Sequence, residues 1–256
     1  MESVTLEILS ASTTRAPSPW RLPCVTNIQR LYYIKGGKGY IIREDGSKEP
    51  FQKGSIYIFS HNLKQQFVAD ADDPMDHIYF DFISTPPIIA PQPLIYPIRA
   101  GSHVANLVVF LDNLMKENLE LSDVSENILQ QRERILCSGL EILLRLLSEE
   151  RSIPFSNDAA ISRVLVFIHE NYRNNLSVEI LATEAGFAPN SFIRRFKQIM
   201  GQPPYAYVKE YRLMKACELL SKGVTVAQAA EQVGYENGSS LSRALADRRT
   251  VSADWR

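Results

Sequence analysis

Two segments in the last hundred residues repeat one local grammar, and this repeat constrains the fold more than any other feature of the chain. The first runs Leu176-Ser-Val-Glu-Ile-Leu-Ala-Thr-Glu-Ala-Gly186-Phe and continues Ala-Pro-Asn-Ser-Phe-Ile-Arg-Arg-Phe-Lys197. The second runs Val224-Thr-Val-Ala-Gln-Ala-Ala-Glu-Gln-Val-Gly234-Tyr and continues Glu-Asn-Gly-Ser-Ser-Leu-Ser-Arg243. Each offers a polar N-cap (Ser177, Thr225), a short helical stretch, and a glycine followed by an aromatic. A second helix follows, with large apolar residues four apart: Phe192/Phe196 and Leu241/Leu245. Ala182 and Ala230 are small enough to let two helices cross closely, and glycine takes the positive φ of a tight turn between them. The pattern predicts two helix-turn-helix motifs, 48 residues apart from Gly186 to Gly234, joined by a long helix around Tyr205–Leu220. The second helix of such a motif fits a DNA major groove, and two of them about 34 Å apart would enter successive grooves on one face. Phe187, Phe192, Phe196 and Tyr235 read as core.

The front of the chain has a different period. Within residues 1–100, Val4–Leu9, Ile28–Ile34, Tyr40–Arg43, Ser55–Phe59, Gln66–Ala69 and His77–Ile83 read as short strands. Turn signals such as Gly36-Gly37-Lys38-Gly39 and Asp45-Gly46 separate them, as in a sandwich or small barrel. Prolines 86, 87, 91, 93 and 97 read as an extended connector. From 101 to 151 the apolar spacing becomes helical: Val104, Leu107, Val108, Leu111 and Leu114 form one stripe. A longer pattern from Ile128 to Leu147 follows Ser122-Asp123, read as its N-cap. This helical hairpin is apolar on more than one side, which fits packing on the β-domain, dimerisation, or both. Residues 152–158 read as a short polar linker, and 159–256 as all helix. The fold class is thus α+β with two domains.

Charge divides the same way. Residues 157–256 hold 13 Lys/Arg against 10 Asp/Glu, while residues 1–156 hold 15 against 19, so a mildly basic back follows a mildly acidic front. Cys24, Cys137 and Cys217 are few, distant and without C-x-x-C spacing, which disfavours a disulfide scaffold or a cysteine zinc site and fits a reducing cytoplasm. The first residues resemble no signal peptide, and no stretch reaches eighteen apolar residues, so a secreted or membrane-spanning chain is not expected.

Residues 160–256 resemble the DNA-binding domain of AraC/XylS-type transcription regulators. The likeness is carried by Ala182–Phe187, Phe192–Gly201, the connector Tyr211-Arg212-Leu-Met-Lys-Ala216, and Ala230–Tyr235, ending in Trp255-Arg256. Residues 20–90 resemble the cupin-like sensor barrel of the same family through Gly39-Tyr40, Asp45-Gly46, Gly54–Phe59 and Tyr79-Phe-Asp-Phe. The resemblance implies a sequence-specific DNA-binding regulator, an activator in the commoner role, working as a homodimer on double-stranded DNA with RNA polymerase. It places Asn190, Ile193 and Arg194 at base edges, with Arg195 and Lys197 nearer phosphates or the helix flank. In the second motif it offers Ser239, Ser242 and Arg243, with Gly238 on the same face. Arginine is the commonest reader of guanine, which singles out Arg194 and Arg243.

The end of the chain departs from the family pattern. Leu241 and Leu245 stand where the family has Phe, Thr250 where it has Gly, and Ala253 where it has Pro. Leucine fills a similar volume, so the fold is expected to survive. Asp247 and the small side chains of this half imply weaker or less specific DNA contact.

The implied barrel binds a small effector, a sugar in many relatives. Arg30, Tyr32, His61, Tyr79 and Asp81 are the polar or aromatic strand residues that qualify to face it. Tyr79 and Asp81 share one face of their strand, and Phe80 and Phe82 the other. A metal-dependent cupin enzyme, such as an isomerase, needs a His-x-His pair with further ligands. His61, His77, His103 and His169 stand alone, so neither an enzyme nor a metal or other cofactor is expected. The alternative reading is a metabolite-binding cupin protein with a weakened DNA-binding domain.

Overall fold

The computed structural model describes residues 4–16, 21–22, 28–43, 45–61, 63, 66–117, 126–221 and 223–253. The chain separates into two compact units, Met1–Phe155 and Ser156–Arg256.

Among its described residues the first unit holds nine strands: β1 (Thr5–Arg15), β2 (Arg21–Leu22), β3 (Gln29–Gly36), β4 (Gly39–Ile42), β5 (Lys48–Pro50), β6 (Ser55–Phe59), β7 (Gln66–Ala69), β8 (Asp76–Thr85) and β9 (Leu94–Pro97). They form a five-stranded sheet, β1-β8-β3-β6-β9, and a four-stranded sheet, β2-β7-β4-β5, with every neighbouring pair antiparallel. Alternation along the strands gives the larger sheet two apolar faces. On one, Leu31, Ile56, Ile58, Ile78, Phe80 and Phe82 join a core with helix residues. On the other, Tyr32, Ile34, Tyr57 and Phe59 pack with Ile41 and Phe67 of the smaller sheet. The second core is aromatic, and Tyr32 meets Phe51, Phe59 and Phe67 edge to face at centroid distances of 6.0, 5.8 and 5.5 Å.

Two helices cover the first face: α1 (His103–Lys116) and α2 (Glu126–Glu150). Ser102 caps α1 by accepting from the Ala105 amide. The residues read as the α2 cap, Ser122 and Asp123, lie outside the described residues. Of the apolar surplus on α2, Leu136, Leu140, Leu143, Leu144 and Leu147 enter the sheet-side core. Ile128, Ile135 and Ile142, seven residues apart, remain exposed.

The stretch 86–97 is packed rather than a bare connector. Its β9 pairs with β6 at the edge of the larger sheet, and Ile88, Ala90, Leu94 and Tyr96 are buried. The prolines interrupt any period-2 pattern, while an edge position tolerates Pro97. Ile153 is buried in the same core, Phe155 bridges to Ile88, and the Pro154 carbonyl accepts from the Ile89 amide. Residues 153–155, inside the segment read as a linker, are therefore anchored on the first unit.

The second unit contains α3 (Ala159–Asn171), α4 (Val178–Ala185), α5 (Pro189–Met200), α6 (Pro204–Ser221), α7 (Val226–Val233) and α8 (Gly238–Ala253). They build two small cores. One gathers Ile161, Val164, Leu165, Ile168, Leu181, Ala182, Phe192 and Phe196, and the other Ala229, Ala230, Val233, Leu241 and Ala244. Helix α6 serves both, giving Tyr207 and Val208 to the first and Leu213 and Ala216 to the second. Helix α8 runs for 16 residues, well past the Leu241/Leu245 pair that marks it in the sequence. With Thr250 and Ala253 in place of Gly and Pro, no residue there halts it before Ala253. Trp255 and Arg256 lie outside the described residues.

Candidate nucleic-acid interface

The helix pairs α4–α5 and α7–α8 are built alike. Ser177 caps α4 through the Ile180 amide, and Thr225 and Gln228 form a reciprocal capping box on α7. Gly186 and Gly234 end these helices at φ 74° and 80°. In both turns the aromatic amide reaches back five residues, Phe187 to the Ala182 carbonyl and Tyr235 to that of Ala230, at 3.0 and 2.9 Å. This bond satisfies a carbonyl that the helix end leaves open. Ala182 and Ala230 are buried where the paired helices meet.

Helix α5 then divides cleanly. Phe192, Phe196 and Met200 are buried at i, i+4, i+8, while Asn190, Arg194 and Lys197 are exposed on the opposite side. Ile193 is half-buried beside them. Arg195, also in the expected set, is tied down: its Nε donates to the Asp158 carboxylate at 2.5 Å, and its guanidinium lies 5.3 Å from the Phe187 ring centroid. Asp158 also caps α3 by accepting from the Ile161 amide. Arg195 thus fastens the start of α3 to α5, a role that the sequence grammar did not reveal. On α8, Ser239, Ser242 and Arg243 are exposed and Gly238 is half-buried. Asn237, passed over in the sequence, accepts from the Ser240 amide at the helix start; Asn before Gly-Ser-Ser was its signal. Leu241 fills the second core and Leu245 packs against it. Phe187 and Tyr235, read as core, are only partly buried at the core margins.

The residues expected at an effector site all lie in the first unit. Arg30 and Asp81 are cross-strand neighbours on β3 and β8, joined by two hydrogen bonds of 2.5 and 2.7 Å. Burial opposes the Arg30 charge, but its bonds to Asp81 and the neighbouring Tyr32 outweigh that cost and hold the guanidinium protonated. Tyr32 and Tyr79 form the next pair on this face; burial pushes the Tyr32 phenol up. Tyr79 lies within hydrogen-bond distance of the Ser10 hydroxyl, at 3.2 Å. His61 is buried after β6, away from this register of β3 and β8 pairs. His77 was missed as a member of the group, yet its ring stands 5.0 Å from that of Tyr32 and 6.1 Å from that of Tyr79. Strand alternation through Tyr79 and Asp81 was the signal for it.

Burial pulls the His77 pKa down to about 4, against an ordinary value of 6.5. Between those values the unfolded chain takes up a proton that the folded chain refuses. The stability due to neutral His77 is therefore full above about pH 6.5 and is lost as the pH falls through about 4. Denaturant midpoints across that window should fall less steeply in His77→Gln than in the parent chain.

Among the described residues, no three His, Cys, Asp or Glu side chains gather as a metal site. No described helix is long and apolar enough to cross a membrane.

Paired helices meeting at a left-handed glycine, with a polar and cationic face turned outward, define a helix-turn-helix protein. A family model described as a helix-turn-helix domain matches residues 181–253. The uncharacterized HTH-type transcriptional regulator YbfI of Bacillus subtilis is 28% identical over 114 residues, 43% of this chain and 41% of that protein. A protein of Streptomyces antibioticus named as an AraC-like transcription regulator is 31% identical over 89 residues, 34% of this chain and 29% of its own length. These likenesses support an AraC/XylS-type regulator, and the family match falls on the helical second unit. The chain spans about two fifths or less of the length of these two relatives. In architecture it is similar to ToxT of Vibrio cholerae O395, with a TM-score of 0.59 at 11% identity over 95% of this chain and 93% of that one. A ToxT structure from strain SCE256, described as bound to unsaturated fatty acid, gives 0.57 at 10% identity over 95% and 91%.

Proposed function

We propose that this chain is a sequence-specific transcription regulator, an activator, whose second unit reads double-stranded DNA through two helix-turn-helix motifs. The observation that carries this reading is the outward face of α5, where Asn190, Arg194 and Lys197 stand exposed opposite buried Phe192, Phe196 and Met200. Asn and Arg are the side chains that pair bidentately with adenine and guanine edges, and Lys binds phosphate as a point charge. Arg243, with Ser239 and Ser242, gives α8 a smaller version of that face, so α5 is the stronger reader. Arg195, held by Asp158, acts from the flank.

The first unit is a cupin-like domain that senses a small molecule on the face carrying Arg30, Tyr32, Tyr79 and Asp81. A sugar is the first class to test. A fatty acid is the second, because ToxT, similar in architecture, is known in a form bound to unsaturated fatty acid. Effector binding changes DNA affinity to the extent that it favours one arrangement of the chain over another. The exposed Ile128, Ile135 and Ile142 supply a seven-residue stripe suited to a homodimer in the cytoplasm. RNA polymerase is the downstream partner.

Selection of bound DNA from a random library with the full chain tests this reading. Two short conserved blocks about one helical turn apart are expected; no enrichment from folded protein at low salt overturns it. Lys197→Ala should weaken binding evenly across sequences and reduce the slope of log affinity against log salt by about 1, measured by salt titration.

A further inference from the structure

Helix α6 is not the sole tie between the two helix pairs. The turn after α3 forms another, and one side chain clamps it. Tyr172, the residue that closes α3, leaves the first helical core and packs against the second, its ring edge-on to Tyr211 at 5.2 Å. Arg212 of α6 then reaches this turn with both arms of its fork. Its Nε donates to the Tyr172 carbonyl and its Nη2 to the Asn174 carbonyl, each at 2.6 Å. The carbonyl between them, of Arg173, lies against the α7–α8 turn: a Cβ built on Gly234 would sit 2.4 Å from its oxygen. On the other side of the turn, α3 is held to α6 by His169, which stacks on Tyr211 at 4.5 Å and shares a 2.8 Å hydrogen bond with the Tyr207 hydroxyl. Residues 172–174 are thus gripped by α6 and seated on the second helix-turn-helix, while α3 itself packs with the first.

We propose that Arg212 is a positioning residue that sets the spacing between the two DNA-reading helices by clamping residues 172–174. This rests on the reading that both α5 and α8 meet DNA. The Tyr172 carbonyl, at the end of α3, has no partner within the helix, and a planar fork with fixed donor geometry can satisfy it and the Asn174 carbonyl of the following turn at once. A lysine keeps the charge but has a single ammonium on a flexible stem, so it cannot hold both carbonyls in a fixed relation. The two small cores and the exposed faces of α5 and α8 do not include Arg212. Its loss therefore loosens the relation between the readers more than it alters either one.

The test uses the full chain and a set of DNA duplexes in which the two selected blocks are moved apart or together by one base pair at a time, with a single-block duplex as reference. The parent chain should prefer one spacing sharply. Arg212→Lys and Arg212→Gln, with thermal unfolding followed to establish that each is folded, should lose tenfold or more of the advantage of the best spacing over its neighbours. Affinity for the single-block duplex should change less than threefold. A variant that is folded and keeps the parent spacing profile overturns the role of Arg212 and leaves the reading of DNA intact. A parent chain that binds one block with no spacing preference overturns the two-reader reading and this proposal with it. Equal losses on single-block and two-block DNA also overturn it, because they mark a general structural or phosphate-binding role.

Discussion

Replacing Arg194 by Ala is expected to lower affinity for the selected DNA about five- to 150-fold and to relax preference at one base position. The side chain stands on the exposed face of α5, four residues after Asn190 and three before Lys197. Its helix is held from below by Phe192, Phe196 and Met200, so the arginine is presented by a rigid element rather than a loop. A bidentate contact to a guanine edge contributes about 1–3 kcal/mol of discrimination, which converts to the expected loss. Two readouts separate this role from a phosphate contact. Loss of a base reader changes the sequence preference and leaves the salt slope nearly unchanged; loss of a phosphate contact does the reverse. Affinities of Arg194→Ala measured over a panel of single-base variants decide between them. An unchanged preference would remove Arg194 from the base-reading set. Arg195 is a useful contrast, because Arg195→Ala removes the partner of Asp158 and acts through the placement of α3.

The second large effect is on stability. Gly234→Ala should destabilise the second unit substantially more than Gly186→Ala, although the two glycines occupy matching turns. Both have positive φ, at 80° and 74°, where a residue with a Cβ is strained by about 1–2 kcal/mol. For Gly186 that strain is the whole cost, because a Cβ there meets nothing within 4 Å. For Gly234 the same Cβ would lie 2.4 Å from the Arg173 oxygen and 2.9 Å from its carbonyl carbon. The obstacle is backbone, and backbone gripped by Arg212, so it cannot swing aside as a flexible side chain would. Thermal denaturation of the two variants, side by side, checks the difference. Equal shifts in Tm would mean that the Arg173 turn does not press on Gly234.

The legible and illegible parts of this molecule separate by the range of the interactions involved. The bounds of α5 and α7, and of strands β6 and β7, follow from apolar period, caps and turn residues, all of which act within a few positions of one another. Strand β9 was not legible, because prolines hide its period and its pairing partner β6 is about forty residues away. The split of the candidate DNA-reading face from the core was legible on α5, where Phe192 and Phe196 mark the inner side. The tie between Arg195 and Asp158 was not, since no local rule joins residues 37 apart. Likewise Tyr79 and Asp81 were readable as one face of a strand, whereas their pairing with Tyr32 and Arg30 depends on the register of β8 against β3.

The amino-acid sequence by itself determined that the chain has a β-rich front and a helical back, and where in the back two helices turn on a glycine before an aromatic. It also determined which side of α5 carries Asn190, Arg194 and Lys197, because helical period alone sorts those residues from the phenylalanines. Only the tertiary structure decided which exposed arginine is available and which is engaged. It also decided which apolar stripe of α2 is buried, and that Arg212 and Gly234 converge on one turn. These outcomes depend on groups brought together across long stretches of chain, where packing and hydrogen-bond geometry, rather than residue type, choose the partner.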